Sequence, residues 1–279
     1  MKQQVIDLWK TSFEDTDDFI RLYFERVYRE EHTLTLRENG RMISALQMLP
    51  YEITYRGATV PAAYICGVCT LPSERGKGRM NRLMLQAMDV MRDRNYALTV
   101  LIPASDRLFD YYERFGYTKA FDYSLETHHL SAMPPAPSSC RVMPHRDVPP
   151  DTLYAYFDRK QRERVCAVLH TAYDWDTILL DCLADGGDVW VALRRDGQPE
   201  GLALAVPTGK DTVYIKEILY EQADIKDTLI RHILTHFHRQ TAQVRIPPTL
   251  SGARSCGMAH SLDRQPYDLR QGWMNLMLD

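Results

Sequence analysis

Many of the marks that assign a protein to a class at a glance are missing from this chain. No apolar run in its 279 residues approaches the ~20 that a bilayer-crossing helix needs. The amino-terminal stretch MKQQVIDLWK mixes charge with single apolar residues and has no apolar core segment. No secretory signal is therefore expected, and the cytoplasm is the expected compartment. Cysteine is scarce and irregularly spaced, six in all, which excludes a disulfide scaffold. The nine histidines show no ligand spacing. His128-His129 and His232, His236 and His238 read as exposed or capping groups, and no metal is expected. No Gly-x-Ser-x-Gly elbow is present, so nothing suggests an acyl-serine. Charge of one sign is also lacking: 34 Lys and Arg against 37 Asp and Glu leave a formal net charge of −3. That balance excludes wholesale binding to nucleic acid or to an anionic membrane.

What is present belongs to a soluble globular protein, with 45% hydrophobic and 25% charged residues and a length that suits one large or two ordinary domains. Cys66-Gly67-Val68-Cys69 has CxxC spacing. In a regular strand residues three apart face opposite ways, so the two sulfurs are expected to diverge, which argues against a metal or redox pair. The most informative segment follows at once: Val68-Cys69-Thr70-Leu71-Pro72-Ser73-Glu74-Arg75-Gly76-Lys77-Gly78-Arg79-Met80. It reads as strand, basic glycine loop and helix start. Gly76 and Gly78 allow a sharp turn and close backbone approach. Their amides sit where the unsatisfied donors and positive dipole of a helix start favour an anion, and Arg75, Lys77 and Arg79 add positive charge. The helix is expected from Met80, Leu83, Met84, Ala87, Met88 and Met91, an apolar stripe of helical period that reads as core. A nucleotide P-loop is excluded, because Lys77 is followed by Gly78 and no Ser or Thr stands ready for magnesium.

A second apolar run over 97–102 leads into Pro103-Ala104-Ser105-Asp106-Arg107-Leu108-Phe109-Asp110-Tyr111-Tyr112-Glu113-Arg114-Phe115-Gly116-Tyr117. The two segments together resemble the GNAT superfamily of acyl-CoA-dependent N-acyltransferases, whose loop runs R/Q-x-x-G-x-G/A and whose later segment reads roughly N-x-x-A-x-x-F-Y-x-x-x-G-F/Y. Arg75 to Met80 fit the first pattern except that Met80 replaces the small final residue. Ser105, Tyr111, Tyr112, Gly116 and Tyr117 fit the second, with Ser105 in place of Asn. The chain further resembles bacterial tandem acetyltransferases related to the enhanced-intracellular-survival protein, without their sterol-carrier-like domain.

Periodicity alone gives a mixed α/β domain. A helix is expected over 14–30. Paired strands over 33–37 and 41–49 meet at Asn39-Gly40, and a second hairpin over 51–55 and 59–68 turns at Arg56-Gly57. Pro, Ser and Ala concentrate over 131–150, which reads as a linker. Beyond it, helices are expected over 152–168 and 175–183, strands over 188–194, 201–206 and 212–220, a helix over 225–238 and a strand over 242–246. The resemblance turns this pattern into an α/β (α+β) fold of two tandem GNAT-like domains, each a mixed, mostly antiparallel sheet flanked by helices. The first occupies 1–130, the linker 131–150 and the second 151–279. Where the first half has its glycine loop, the second has Leu219-Tyr220-Glu221-Gln222-Ala223-Asp224-Ile225, without glycine. Its carboxylates would repel a diphosphate, so the second half reads as a duplicate without cofactor binding that shapes the acceptor pocket.

The resemblance implies that acetyl-CoA is the co-substrate and a small-molecule or peptide amine the acceptor. Backbone groups near Val68, Cys69 and Thr70 would hold the pantetheine arm, the loop from Arg75 to Met80 the diphosphate, with Ser105 nearby, and Tyr112 would be the general acid. The base is open, because no carboxylate lies between Ala62 and Thr70. Solvent, the second half, or the terminal carboxylate of Asp279 on a final strand over 273–279 are the alternatives. A catalytically silent acyl-CoA-binding or regulatory protein is the competing class, suggested by Met80 and the missing glutamate.

Overall fold

The computed structural model describes residues 1–134, 140–249 and 252–278. They pack as two compact units, and both are mixed, mostly antiparallel sheets flanked by helices, the class expected from the sequence. The first unit holds the described residues of Met1–Asp122, Val165–Val168 and Ser255–Asp279. Its elements run α1 (Lys2–Ser12), α2 (Asp17–Arg26), β1 (Thr33–Glu38), β2 (Arg41–Tyr55), β3 (Ala58–Thr70), α3 (Arg79–Asp93), β4 (Leu98–Leu101), α4 (Asp106–Glu113) and the start of β5 (Thr118–His129). The single helix expected over 14–30 is shorter. Thr16 caps α2 by accepting the Phe19 amide, with Asp17 and Asp18 favourably placed against the dipole in its first turn. A separate α1, unforeseen in the sequence, precedes it and buries Val5, Leu8 and Trp9. Both expected tight turns form: Asn39 and Gly40, and Arg56 and Gly57, all have positive φ, the backbone that matches strand twist in two-residue hairpins. β2 runs unbroken through Pro50, where two strands were expected. Pro50 lies beyond Gln47, the last of its residues paired to β1, so along that side it stands past the ladder.

Alternation in β2 separates two cores. Ala45, Leu49 and Ile53 join Trp9, Tyr23 and Phe24 from α1 and α2, while Leu46 and Met48 join the α3 stripe of Leu83, Met84, Ala87, Met88 and Met91. Each large side chain in that stripe contributes about 2 kcal/mol by leaving water. The parallel β3–β4 pairing, Ala62↔Leu98 to Ile65↔Leu101, is the only place in this stretch where a helix crossover is needed, and α3 supplies it.

One irregularity shapes everything downstream. Ala45 pairs with Cys69 but Gln47 with Cys66, so β3 carries one extra residue opposite Leu46. Gly67 sits in this bulge at φ 58°, and a Cβ there would meet the Trp9 ring at 2.5 Å. The extra residue resets the alternation. The expected divergence of Cys66 and Cys69 is therefore incorrect: both side chains enter the same core as Trp9 and Tyr23. The Tyr23 hydroxyl lies 3.2 Å from the Cys66 sulfur, and burial pushes the Cys69 thiol up to about 12.

The second unit continues from the remainder of β5 through β6 (Arg141–Pro144), α5 (Pro150–Arg162), α6 (Ala172–Ala184), β8 (Asp188–Leu193), β9 (Pro199–Thr208), β10 (Thr212–Tyr220), α7 (Ala223–His236) and β11 (Thr241–Ile246), while of the two-residue β7 (Val168–Leu169) Val168 counts with the first unit and Leu169 with the second. Within it the strand order is β5-β11-β10-β9-β8-β6. The helix expected over 152–168 ends at Arg162, because 165–168 belong to the first unit, where Ala167 and Val168 are in extended pairing. As in the first unit, two antiparallel hairpin strands lead to a helix crossover and a parallel pair, β10–β11. β10 even repeats the bulge, with Lys216 as the extra residue between Ile215 and Glu217.

The last strand, β12 (Arg254–Ser261), is a first-unit element and pairs antiparallel with β4, Met258↔Leu101 to Ser261↔Leu98. The final strand expected over 273–279 does not form among the described residues. Trp273 makes an isolated parallel bridge to Ala167, and Met277 and Leu278 pack partly buried against the core. Asp279 lies outside the described residues. Among the described residues no helix is long and apolar enough to cross a membrane.

Candidate active site

The bulge brings the site into being. β3 pairs with β4 from Ala62 to Ile65, yet continues to Thr70 against β2, so its edge from Gly67 to Thr70 runs on past the last β4 partner. Such an edge offers backbone donors and acceptors to an extended guest. The chain then turns through a short 3-10 segment, Pro72–Glu74, and enters α3 by way of Gly76 at φ 75° and Gly78 at φ 73°. A Cβ on either glycine would meet nothing within 4 Å, so backbone conformation, not crowding, demands glycine there. The first bond into α3 runs from the Arg82 amide to the Gly78 carbonyl, and no side chain caps the helix. The amides ahead of Arg82 therefore have no intrahelical acceptor and face outward with the positive end of the helix dipole.

A cavity of about 590 Å³ joins these features. Val68, Cys69 and Thr70 line it from β3, Arg75, Gly76, Gly78, Arg79 and Met80 from the loop, and Tyr112 from α4. Lys77 and Ser105 are not among its lining residues; Ser105 is the N-cap residue of α4, where its carbonyl accepts the Leu108 amide at 2.9 Å. The positive charge expected at the loop is largely engaged by the protein itself. Arg79 pairs with Glu38 at 2.7 Å and Glu74 at 3.5 Å, Lys77 with Glu74 at 3.1 Å, and Arg75 donates to the Thr70 carbonyl at 3.2 Å. The Lys77 hydrogen bond above all holds Glu74 below its ordinary value; desolvation opposes it, and the charges of Lys77 and Arg79 add to the lowering.

Tyr112 is 5% exposed and stacks edge-on with Tyr111 at 5.2 Å and Tyr117 at 6.0 Å. The neighbouring hydroxyls are both engaged: Tyr117 with Thr99 at 2.8 Å, Tyr111 with Asn81 at 3.0 Å. Burial, followed by Tyr111 and Cys66, raises the Tyr112 pKa far above that of a free tyrosine. It keeps its proton at neutral pH and so has a hydrogen to donate. Sequence reasoning missed Ser12, Phe13, Asn81, Leu108 and Tyr111, which also line the cavity. The helical positions of Asn81, Leu108 and Tyr111 beside known lining residues could have revealed them; Ser12 and Phe13 depend on α1, whose presence was not anticipated.

At the corresponding place the second unit also has a cavity, of about 810 Å³, but its Glu221 carboxylate is engaged by the unit's own cations. Glu221 pairs with Arg159 at 2.6 Å and Lys160 at 3.6 Å, and near the bulge the buried Glu217 pairs with Arg164 at 3.0 Å.

Residues 2–120 match the family model of the acetyltransferase (GNAT) domain. An uncharacterized N-acetyltransferase of Streptomyces avermitilis is 32% identical over 89 residues, which are 32% of this chain and 21% of that protein. The chain thus spans about a fifth of the curated relative it matches. Among solved structures, a protein of unknown function from Enterococcus faecalis, described as a probable N-acyltransferase, superposes with a TM-score of 0.79 at 18% identity, covering 94% of this chain and 70% of the other. Eis1 from Mycobacterium abscessus gives 0.73 at 14%, covering 94% and 71%. At these identities the likeness is one of fold.

Proposed function

From the match of residues 2–120 to the acetyltransferase (GNAT) domain model, we propose that this chain transfers an acetyl group from acetyl-CoA to an amine by direct attack in a ternary complex. The observation that carries this reading is the meeting, in one cavity, of outward amides at the start of α3, a β3 edge past its last β4 partner and a buried protonated tyrosine. The donor set fits a diphosphate on an extended arm. Acetyl-CoA, when bound, supplies a thioester carbonyl open to attack. The amides of Gly76 to Asn81 receive the diphosphate, and the edge from Val68 to Thr70, its Thr70 carbonyl already engaged by Arg75, aligns the arm and polarises the thioester carbonyl. The acceptor nitrogen forms the new C–N bond as the C–S bond breaks. Tyr112 donates a hydrogen bond and then its proton to the departing sulfur, and the phenolate left is reprotonated from solvent. The ammonium proton leaves to solvent, to another side chain or to the Asp279 carboxylate. This reading places the chain in the cytoplasm, where acyl-CoA thioesters are available, with a small-molecule or peptide amine as acceptor.

Thiol release from acetyl-CoA across a panel of amines tests the reading. Release that depends on an amine is expected. Tight CoA binding with no turnover on any amine would instead favour the catalytically silent acyl-CoA-binding protein, and no thermal shift with CoA would remove both.

A further inference from the structure

Asn81 belongs to none of the patterns that picked out the loop, yet it lines the cavity from the first turn of α3. Its Oδ1 accepts a hydrogen bond from the Tyr111 hydroxyl at 3.0 Å. Tyr111 is fixed in turn, edge-on to Tyr112 at 5.2 Å and to Phe115 at 5.3 Å. An asparagine amide has one acceptor oxygen and two N–H donors, so occupying the oxygen leaves the donors to face a ligand. Burial raises the Tyr111 pKa to about 12, which keeps that hydroxyl a donor. The loop also needs neutral donors, since Arg79 and Lys77 are paired with Glu38 and Glu74.

We propose that Asn81 is a binding residue for the diphosphate of acetyl-CoA, its amide donating to a phosphate oxygen, and that Tyr111 is the positioning residue that holds the amide in that orientation. The pair also links the diphosphate to α4, so the element that carries Tyr112 is braced against the bound ligand. This rests on the acetyl-transfer reading and adds a discrimination to it: the pair senses the nucleotide end of the thioester and is indifferent to the acyl end.

The test compares kcat/KM for acetyl-CoA and for S-acetylpantetheine, which lacks the diphosphate, in wild type, Asn81→Asp, Asn81→Ala and Tyr111→Phe. Asn81→Asp should lower kcat/KM for acetyl-CoA by on the order of 10- to 100-fold, because a carboxylate replaces a donor to an anion. Asn81→Ala and Tyr111→Phe should cost on the order of five- to tenfold for the same substrate. All three should leave S-acetylpantetheine within about twofold, as no charge-assisted bond is lost there. Unchanged acetyl-CoA kinetics, or equal losses on both thioesters, would overturn the assignment. If Asn81→Asp does not fold, Tyr111→Phe carries the same comparison. A wild-type protein that turns over neither thioester points instead to failure of the acetyl-transfer reading itself.

Discussion

At Tyr112 the decisive quantity is where the proton resides. Burial and the neighbouring Tyr111 and Cys66 hold it on the oxygen well beyond the range of a free phenol, so the group is charged at no ordinary pH. The rate of acetyl transfer should climb with pH as the acceptor amine loses its proton, then stay level to about pH 10. Tyr112→Phe should lower kcat by on the order of 100-fold while CoA affinity stays within about twofold, because only the proton donor is removed. An alkaline fall centred near about pH 8 that disappears in Tyr112→Phe would contradict this placement of the proton. At the same scale, the sequence exposed what depends on residue type and spacing. Gly76 and Gly78 announce themselves because the turn requires positive φ, and Tyr112 because its pattern is specific. Asn81 does not, since its importance arises from an α4 hydroxyl distant in the chain. Nor could spacing foresee that Arg79 would be engaged by Glu38.

For elements, the β3 bulge separates two glycine roles. Gly67 and Gly78 both have positive φ, but only Gly67 is crowded. Trp9 cannot yield there: its indole donates to Asp15 at 2.7 Å and it packs on Phe13, Tyr23 and Phe24. Gly67→Ala should therefore cost about 3 kcal/mol, overpacking added to left-handed strain, whereas Gly78→Ala should cost about 1 kcal/mol. Chemical denaturation ranks the two in stability, and the KM for acetyl-CoA should rank them the other way, since Gly78 stands at the proposed diphosphate site. Equal destabilisation would mean that Trp9 moves aside. The α3 stripe and the hairpin turns were legible because period and turn chemistry are local. The bulge was not: a CxxC in a strand implies opposite faces until one inserted residue reverses the count. β12 was equally hidden, because Arg254–Ser261 has few branched or aromatic residues and owes its strand state to the exposed side of β4.

Across the whole molecule, charge is small and slightly negative, −3, so attraction for an anionic ligand must come from the α3 terminus and from nearby Arg75. Such local attraction is screened. Raising ionic strength from about 0.05 to about 0.5 M should increase the KM for acetyl-CoA by roughly threefold, with no comparable change for S-acetylpantetheine. A flat response for acetyl-CoA would mean that directed hydrogen bonds alone hold it. The pairing of β12 with β4 has a consequence for biosynthesis. The β4 rim acquires its neighbour from residues 254–261, far downstream of the segment that bears the site. During translation that rim must wait, bare, until residue 261 has left the ribosome. The segment that bears the proposed site is thus completed only by residues made much later, and a fragment ending at residue 122 would carry that site on an open, adhesive border.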